Sequence, residues 1–192
     1  MAYRTIQPPF NLKFDQMPKK ELREYYAWFQ DIMPQRIDEL ASAVRLSPGF
    51  ETWRPDYKPD SLNALGHWFA AQVQTRPLTT EEEEEFSALV PNPRKTWELT
   101  NRTLSLAMDL GMYLSQVLLR NHSSLQWDQP LGSKRFIDYG QPVLMGFVRK
   151  VPFNPVGMMV TFAYGLARKT RTGKGLREIY DIWSRMIDQK PS

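Results

Sequence analysis

Apolar residues recur every three or four positions along most of the chain, which predicts a mainly helical protein. The first helix is expected to begin near Pro18. Pro34 should break or bend it, because proline removes a backbone donor and clashes with the preceding turn. A second helical segment should follow and end before Ser47, and either Asp60 or Ser61 is placed to cap the next helix.

The most apolar stretch lies between Thr100 and Arg120, where apolar side chains cover nearly the whole circumference of a helix. A helix of this kind is enclosed by its neighbours, so it is predicted to be the centre of the fold. His122 follows it and is expected to cap its C-terminal end. A narrow polar line remains at near-helical spacing and consists of Arg102, Ser105, Asp109, Gln116 and Arg120.

After this helix the period of the pattern changes. Residues 125–127 alternate and residues 142–148 form a short apolar run between turn residues, which predicts two antiparallel strands. Asn154 and Pro155 are typical of a helix start, and a last amphipathic helix should cover residues 176–187. The predicted fold class is therefore α+β and mainly α, with helices packed around the central apolar helix and a small antiparallel sheet of two or three strands.

The length of 192 residues favours a single domain, since a chain of this size can hide roughly 70% of its unfolded surface in one core. Residues 1–17 are predicted to form an N-terminal arm, either a short strand or an extended segment, because Phe10, Leu12 and Phe14 alternate with polar residues. Residues 18–188 are predicted to form the globular domain.

The composition excludes several kinds of chemistry. The chain has no cysteine, which rules out disulfides, thiolate zinc sites and a cysteine nucleophile. It has two histidines, His67 and His122, so neither a histidine-rich metal centre nor a Ser-His-Asp triad is easily assembled. No cofactor, metal site or catalytic residue is expected, and an enzyme is not favoured.

The N-terminus lacks the apolar region of a secretory signal, and no run approaches the ~18 apolar residues of a membrane span. A cytoplasmic location without membrane contact is therefore expected.

Charge is unevenly distributed along the chain, whose formal net charge is +4. Residues 1–144 carry 16 basic and 18 acidic side chains, whereas residues 145–192 carry 9 basic and 3 acidic ones. An acidic run covers residues 81–85. Either these patches steer a charged partner, or they are solvated helix ends. The basic residues that could bind an anion or a partner are Arg168, Lys169, Arg171, Lys174 and Arg177.

The same basic segment contains Thr-Gly-Lys-Gly at 172–175, which is similar to the end of a phosphate-binding loop. It lacks the first glycine of that motif and the strand that should precede it, so a turn between helices is predicted instead. Nucleic-acid binding is not favoured, because no aromatic residues interleave with the cations.

Asp109 is the one charge within the apolar part of the central helix, and a buried carboxylate there needs a partner or a raised pKa. One hypothesis is a ligand pocket in which Asp109 is joined by Tyr113, Gln116 and Arg120. The other is that Asp109 faces solvent or pairs with an arginine elsewhere in the fold.

Five motifs stand in a characteristic order, at residues 57–62, 109–114, 125–127, 141–147 and 153–155. This order resembles small bacterial proteins of the immunity-protein-like type, which are often compared with the immunity proteins of toxin systems. Many of those proteins have an acidic residue after the tyrosine-leucine pair of the central helix, where this chain has Ser115 and Gln116.

The resemblance implies a non-catalytic protein-binding module with a protein partner, such as an immunity or antitoxin-like factor. The alternative is a small-ligand or anion-binding protein that uses the polar line around Asp109 and the basic segment 168–177.

Overall fold

The computed structural model describes residues 3–89 and 96–187. In these ranges the helices are α1 (Lys19–Arg45), α2 (Ser61–Gln72), α3 (Thr80–Leu89), α4 (Asn101–Asn121), α5 (Pro155–Ala167) and α6 (Gly175–Arg185). The short strands are β1 (Thr75–Pro77), β2 (Trp97–Leu99), β3 (Gln126–Asp128) and β4 (Val143–Met145), and a 3-10 helix covers Val148–Lys150. The predicted class, α+β and mainly α, is confirmed. No helix of the described ranges is both long and apolar enough to cross a membrane.

Helix α4 is the central helix, as its composition predicts. Its residues 105–118 are buried except for Gln116, which is half-buried. The Thr100 side chain caps its N-terminus by accepting a hydrogen bond from the backbone N–H of Thr103. At Gly111, a Cβ atom would lie 2.9 Å from the carbonyl oxygen of Pro155, so glycine is what allows the start of α5 to approach so closely.

Helix α1 runs through Pro34 as one helix of 27 residues, so the predicted division into two segments is wrong. Apolar side chains are buried on both sides of the proline, including Phe29, Met33 and Ile37. Their continuous burial against the core outweighs the one backbone hydrogen bond that proline removes.

Two separate two-stranded antiparallel sheets lie at the edges of the helices. The pair β3–β4, with Gln126 opposite Met145, corresponds to the two predicted strands. The pair β1–β2, with Thr75 opposite Leu99, was not predicted. Each of its strands has three residues, which is too short for an alternating pattern to show.

The N-terminal segment is extended and packs on the helices through its aromatic residues. Phe10 meets the rings of Tyr25 and Trp28 edge-on, at centroid distances of 5.5 and 5.8 Å, and Phe14 lies 5.0 Å from Tyr25. Leu12, between them, has a left-handed backbone conformation and stays exposed. No regular strand forms over residues 3–17.

Asp109 is fully buried and paired with Arg36 of α1. The guanidinium donates two hydrogen bonds to the carboxylate, from Nε to Oδ1 at 2.8 Å and from Nη2 to Oδ2 at 2.7 Å. The Tyr3 hydroxyl also donates to Oδ2, at 2.5 Å. Burial raises the pKa of Asp109 to about 6, while the contacts with Arg36 and Tyr3 act in the opposite direction.

The N-terminal segment closes over this ion pair. Arg36 Nη1 donates to the carbonyl oxygen of Arg4 at 2.9 Å, and the backbone N–H of Ile6 donates to Ser105 Oγ of α4 at 2.7 Å. One charged pair therefore connects α1, α4 and the N-terminus.

We expect Arg36→Met to lower the free energy of unfolding by about 3–5 kcal/mol, because it leaves the Asp109 carboxylate buried without its cation. The control is Arg4→Met, which removes an exposed ion pair with Glu39 and should cost less than about 1 kcal/mol. Urea denaturation of the three proteins measures both values. A loss for Arg36→Met as small as that of the control would show that the pair does not hold the helices together.

Candidate functional site

A groove of about 770 Å³ lies between α5 and α6. Pockets that bind ligands commonly have volumes of roughly 300–1,000 Å³, so the groove is large enough to be a binding site. Its floor is apolar and consists of Met158, Phe162, Ile179, Ile182 and Trp183. Its rim carries Arg168 and Arg171 together with polar side chains. The arrangement joins an apolar surface to two cations.

One residue of the groove floor, Trp183, is packed into an aromatic cluster. Trp183 packs against the rings of Phe153 and Phe147, at centroid distances of 4.3 and 4.9 Å. Phe162 is buried, whereas Ile182 keeps 48% of its surface exposed. An exposed isoleucine beside a rigid aromatic floor leaves apolar surface for a ligand to cover.

The turn between α5 and α6 is held by backbone hydrogen bonds and by a close contact with α2. The backbone N–H groups of Thr170 and Arg171 both donate to the carbonyl oxygen of Gly165, at 2.9 and 3.1 Å. The turn then rests on α2, where a Cβ atom on Gly66 would lie 2.1 Å from the carbonyl oxygen of Gly173. The Thr-Gly-Lys-Gly segment is therefore a turn between two helices, as predicted, and its first glycine serves close packing.

The two rim arginines, Arg168 and Arg171, are exposed and form no salt bridge with any described residue. The Arg168 guanidinium lies over the rings of Tyr164 and Trp97, at 5.7 and 6.0 Å from their centroids. These contacts orient the cation without neutralising it. Both guanidinium groups are available for a carboxylate or a phosphate.

The other three residues of the predicted basic segment have different environments. Lys169 and Lys174 are exposed on the turn, outside the lining of the groove. Arg177 is bound by two carboxylates, Asp60 at 2.6 Å and Asp181 at 2.8 Å. The structure thus places two of the five cations at the groove and holds one in an ion-pair cluster.

Acidic side chains also lie near the groove. Glu178 is part of its lining. Glu98 accepts a hydrogen bond from the Tyr164 hydroxyl, and burial together with this contact raises the pKa of Tyr164. Glu82 is bound by Arg76, which lowers the pKa of Glu82 to about 2. Glu178 is therefore the acidic residue that a ligand in the groove would meet.

The predicted pocket around Asp109 is occupied by the protein's own side chains. Asp109 itself is bound by Arg36, an arrangement that the sequence left open. The Tyr113 hydroxyl accepts a hydrogen bond from the backbone N–H of Tyr57 at 3.2 Å and lies 2.7 Å from Ser61 Oγ. Asp109 and Tyr113 of α4 therefore each bind other parts of the same chain that pack against this helix.

The remaining two residues of that predicted set are also engaged within the protein. Gln116 Nε2 lies 3.2 Å from the Met33 sulfur. The Arg120 guanidinium stacks 3.4 Å from the centroid of the Tyr57 ring. Tyr113 and Arg120 both contact Tyr57, whereas Asp109 binds Arg36 and Gln116 contacts Met33, so the four side chains do not converge on one pocket.

His122 stands at the C-terminal cap position of α4, and its ring reaches α6. Nε2 lies 3.2 Å from both the Tyr180 hydroxyl and Ser184 Oγ. Burial lowers the pKa of His122. Within residues 3–89 and 96–187, no group of three acidic or histidine side chains could hold a metal ion.

Sequence analysis did not identify the groove, although it identified the cations beside it. Ile179 and Trp183 belong to an apolar stripe that reads the same whether a neighbouring helix or a ligand covers it. Ile182 does indicate additional apolar surface in the sequence, because it extends the apolar stripe of α6 beyond the buried positions Leu176 and Tyr180.

Comparison of the chain with protein-family models, with curated proteins and with solved structures gives no significant match. The resemblance to immunity-protein-like bacterial proteins stays a prediction.

We expect the groove to bind anilinonaphthalene sulfonate (ANS), an aromatic anion, at a single saturable site. The double substitution Arg168→Gln/Arg171→Gln should weaken binding about tenfold, because it removes both cations and keeps the apolar floor. Fluorescence titration measures the dissociation constant.

The matched control is Lys169→Gln/Lys174→Gln, which removes two charges from the same turn but outside the groove. It should leave ANS affinity within about twofold of the wild-type value. Equal weakening by the two double variants would mean that overall charge, and not the groove, binds the dye.

Proposed function

We propose that this chain is a non-catalytic protein-binding module whose α5–α6 groove takes an acidic, partly apolar segment of a partner protein. The observation that carries the proposal is the pair Arg168 and Arg171, two cations without acidic partners in the described chain, set above an apolar floor. Other arginines, such as Arg36 and Arg177, have carboxylate partners within the protein. Unpaired cations beside exposed apolar surface suit a ligand with both kinds of group.

The shape of the groove supports a helical segment as the occupant. A groove between two helices can receive an amphipathic helix, which inserts apolar side chains spaced three or four residues apart. Ile182 and Trp183 would contact those side chains, while Arg168 and Arg171 would bind carboxylates by paired hydrogen bonds. Glu178 would disfavour a second acidic group on its side, which gives the bound segment a preferred direction.

The charge distribution supports the same kind of partner. The net charge of residues 145–192 is positive, and both cations that line the groove, Arg168 and Arg171, belong to this part of the chain. A surface of one sign steers a partner of the opposite sign and raises the rate of association. An immunity or antitoxin-like role in a bacterial cytoplasm, as the resemblance implies, is the specific form of the proposal.

The test is affinity capture with the tagged full chain from a lysate of the native host. We expect at least one protein to be retained by the wild type and by Lys169→Gln/Lys174→Gln. The same protein should be lost with Arg168→Gln/Arg171→Gln and with Ile182→Ser, because one variant removes the cations and the other removes apolar floor.

Calorimetry with the purified partner then gives the affinity of each variant. We expect the groove variants to bind at least tenfold more weakly than the control, which corresponds to about 1.4 kcal/mol. Retention of every captured protein by the groove variants would overturn the proposal.

A second candidate is a small amphipathic anion, and the volume of about 770 Å³ favours it, since a drug-sized ligand fits such a space. A thermal-shift screen of organic acids and phosphates tests it. A ligand at 100 times its dissociation constant stabilises the folded state by about 2.7 kcal/mol. A shift that disappears in Arg168→Gln/Arg171→Gln would favour the small ligand, and no shift would leave the protein partner as the occupant.

A further inference from the structure

Three apolar side chains from two loops form an exposed patch on the protein surface. We call it the Ile137 patch. It consists of Ile137, Phe136 and Leu12, which are 86%, 38% and 39% exposed. All three line one shallow cavity of about 340 Å³, so they are neighbours although Leu12 is far away in the sequence. None of them lines the α5–α6 groove.

Cations surround the Ile137 patch. Lys13, Lys134 and Arg135 line the same cavity, are exposed, and form no salt bridge with the described part of the chain. Asp15 is the acidic residue of this lining, and Lys134 Nζ donates to its backbone carbonyl oxygen at 2.7 Å. The nearby Asp138 carboxylate accepts a hydrogen bond from Asn154. Three cations therefore stand beside the apolar side chains with one exposed carboxylate.

The loop that carries Ile137 is held in place by its own hydrogen bonds. The backbone N–H of Tyr139 donates to the carbonyl oxygen of Phe136 at 3.0 Å, and Gln129 Nε2 donates to that of Gly140 at 2.8 Å. Tyr139 is buried, and a Cβ atom on Gly140 would lie 2.6 Å from a methyl group of Leu22. The loop is already ordered, so binding through it carries little further loss of conformational entropy.

We propose that the Ile137 patch docks on an anionic lipid surface. Ile137, Phe136 and Leu12 insert between the headgroups, and the three cations lie beside lipid phosphates. Apolar side chains flanked by lysine and arginine are the combination that the membrane interface favours. Lysine is depleted in protein interfaces, and two of the three cations beside this patch are lysines, so the patch suits a lipid surface better than a protein.

This mode of binding is compatible with the lack of a spanning helix in the described ranges. A long apolar stretch is required only of a segment that crosses the bilayer. Three separate side chains that insert among the headgroups form no such stretch in the sequence. The sequence-based expectation of no membrane contact depended on such a search.

The test is co-sedimentation of the full chain with unilamellar vesicles at low ionic strength. One set consists of phosphatidylcholine alone, and the other is a mixture with phosphatidylglycerol. We expect the protein to sediment with the anionic vesicles and to remain in the supernatant with the neutral ones. Ile137→Ser and Lys134→Gln/Arg135→Gln should each reduce the bound fraction roughly tenfold, because both apolar insertion and charge contribute.

The matched control is Lys169→Gln/Lys174→Gln, which changes the net charge by the same amount on a turn outside both the Ile137 patch and the α5–α6 groove. It should sediment like the wild type. The proposal is overturned if the wild type stays in the supernatant with both vesicle types, if it binds neutral vesicles equally well, or if the control loses as much binding as the patch variants. Capture of a lysate protein in place of vesicles, lost in Ile137→Ser, would assign the patch to a protein partner and would also overturn it. Because the patch and the groove share no residue, these outcomes do not depend on the proposed function.

Discussion

The ion pair between Arg36 and Asp109 determines how the helices are arranged. A carboxylate buried in the central helix is tolerable only if its cation sits in one geometry, and this requirement fixes α1 against α4. Two close backbone contacts then position the next helices. Gly111 allows the start of α5 to approach α4, and the contact between Gly66 and Gly173 holds the turn before α6 against α2. These contacts determine where α5 and α6 lie, and therefore where the groove between them lies.

The arginines of this chain differ in whether they bind a carboxylate within the protein. Arg36 and Arg177 each bind carboxylates within the protein, and their charges stabilise the fold or contribute little at the surface. Arg168 and Arg171 have no such partner among the described residues. They stand above apolar side chains that remain partly exposed to water. Under the proposed function, Arg168 and Arg171 would bind a partner, whereas Arg36 stabilises the fold.

The central helix and the need of Asp109 for a partner could be predicted from the sequence, because both follow from local composition. The identity of that partner could not, since Arg36 lies 73 positions away along the chain. The division of α1 at Pro34 was predicted wrongly, because the burial of apolar side chains on both sides of the proline outweighed its local tendency to break a helix. The cations of the groove could be predicted from the sequence, but its apolar floor could not. Whether apolar residues such as Trp183 face the core or a cavity depends on how α5 packs on α4 and how α6 packs on α2.

The most direct measurement of the central claim is amide chemical-shift mapping of the isotope-labelled full chain during titration with the captured partner. We expect the largest shifts in residues 158–183, around Ile182, Arg168 and Arg171, with saturation at one partner per chain. Shifts confined to α1 or to the β3–β4 sheet, with α5 and α6 unchanged, would contradict it.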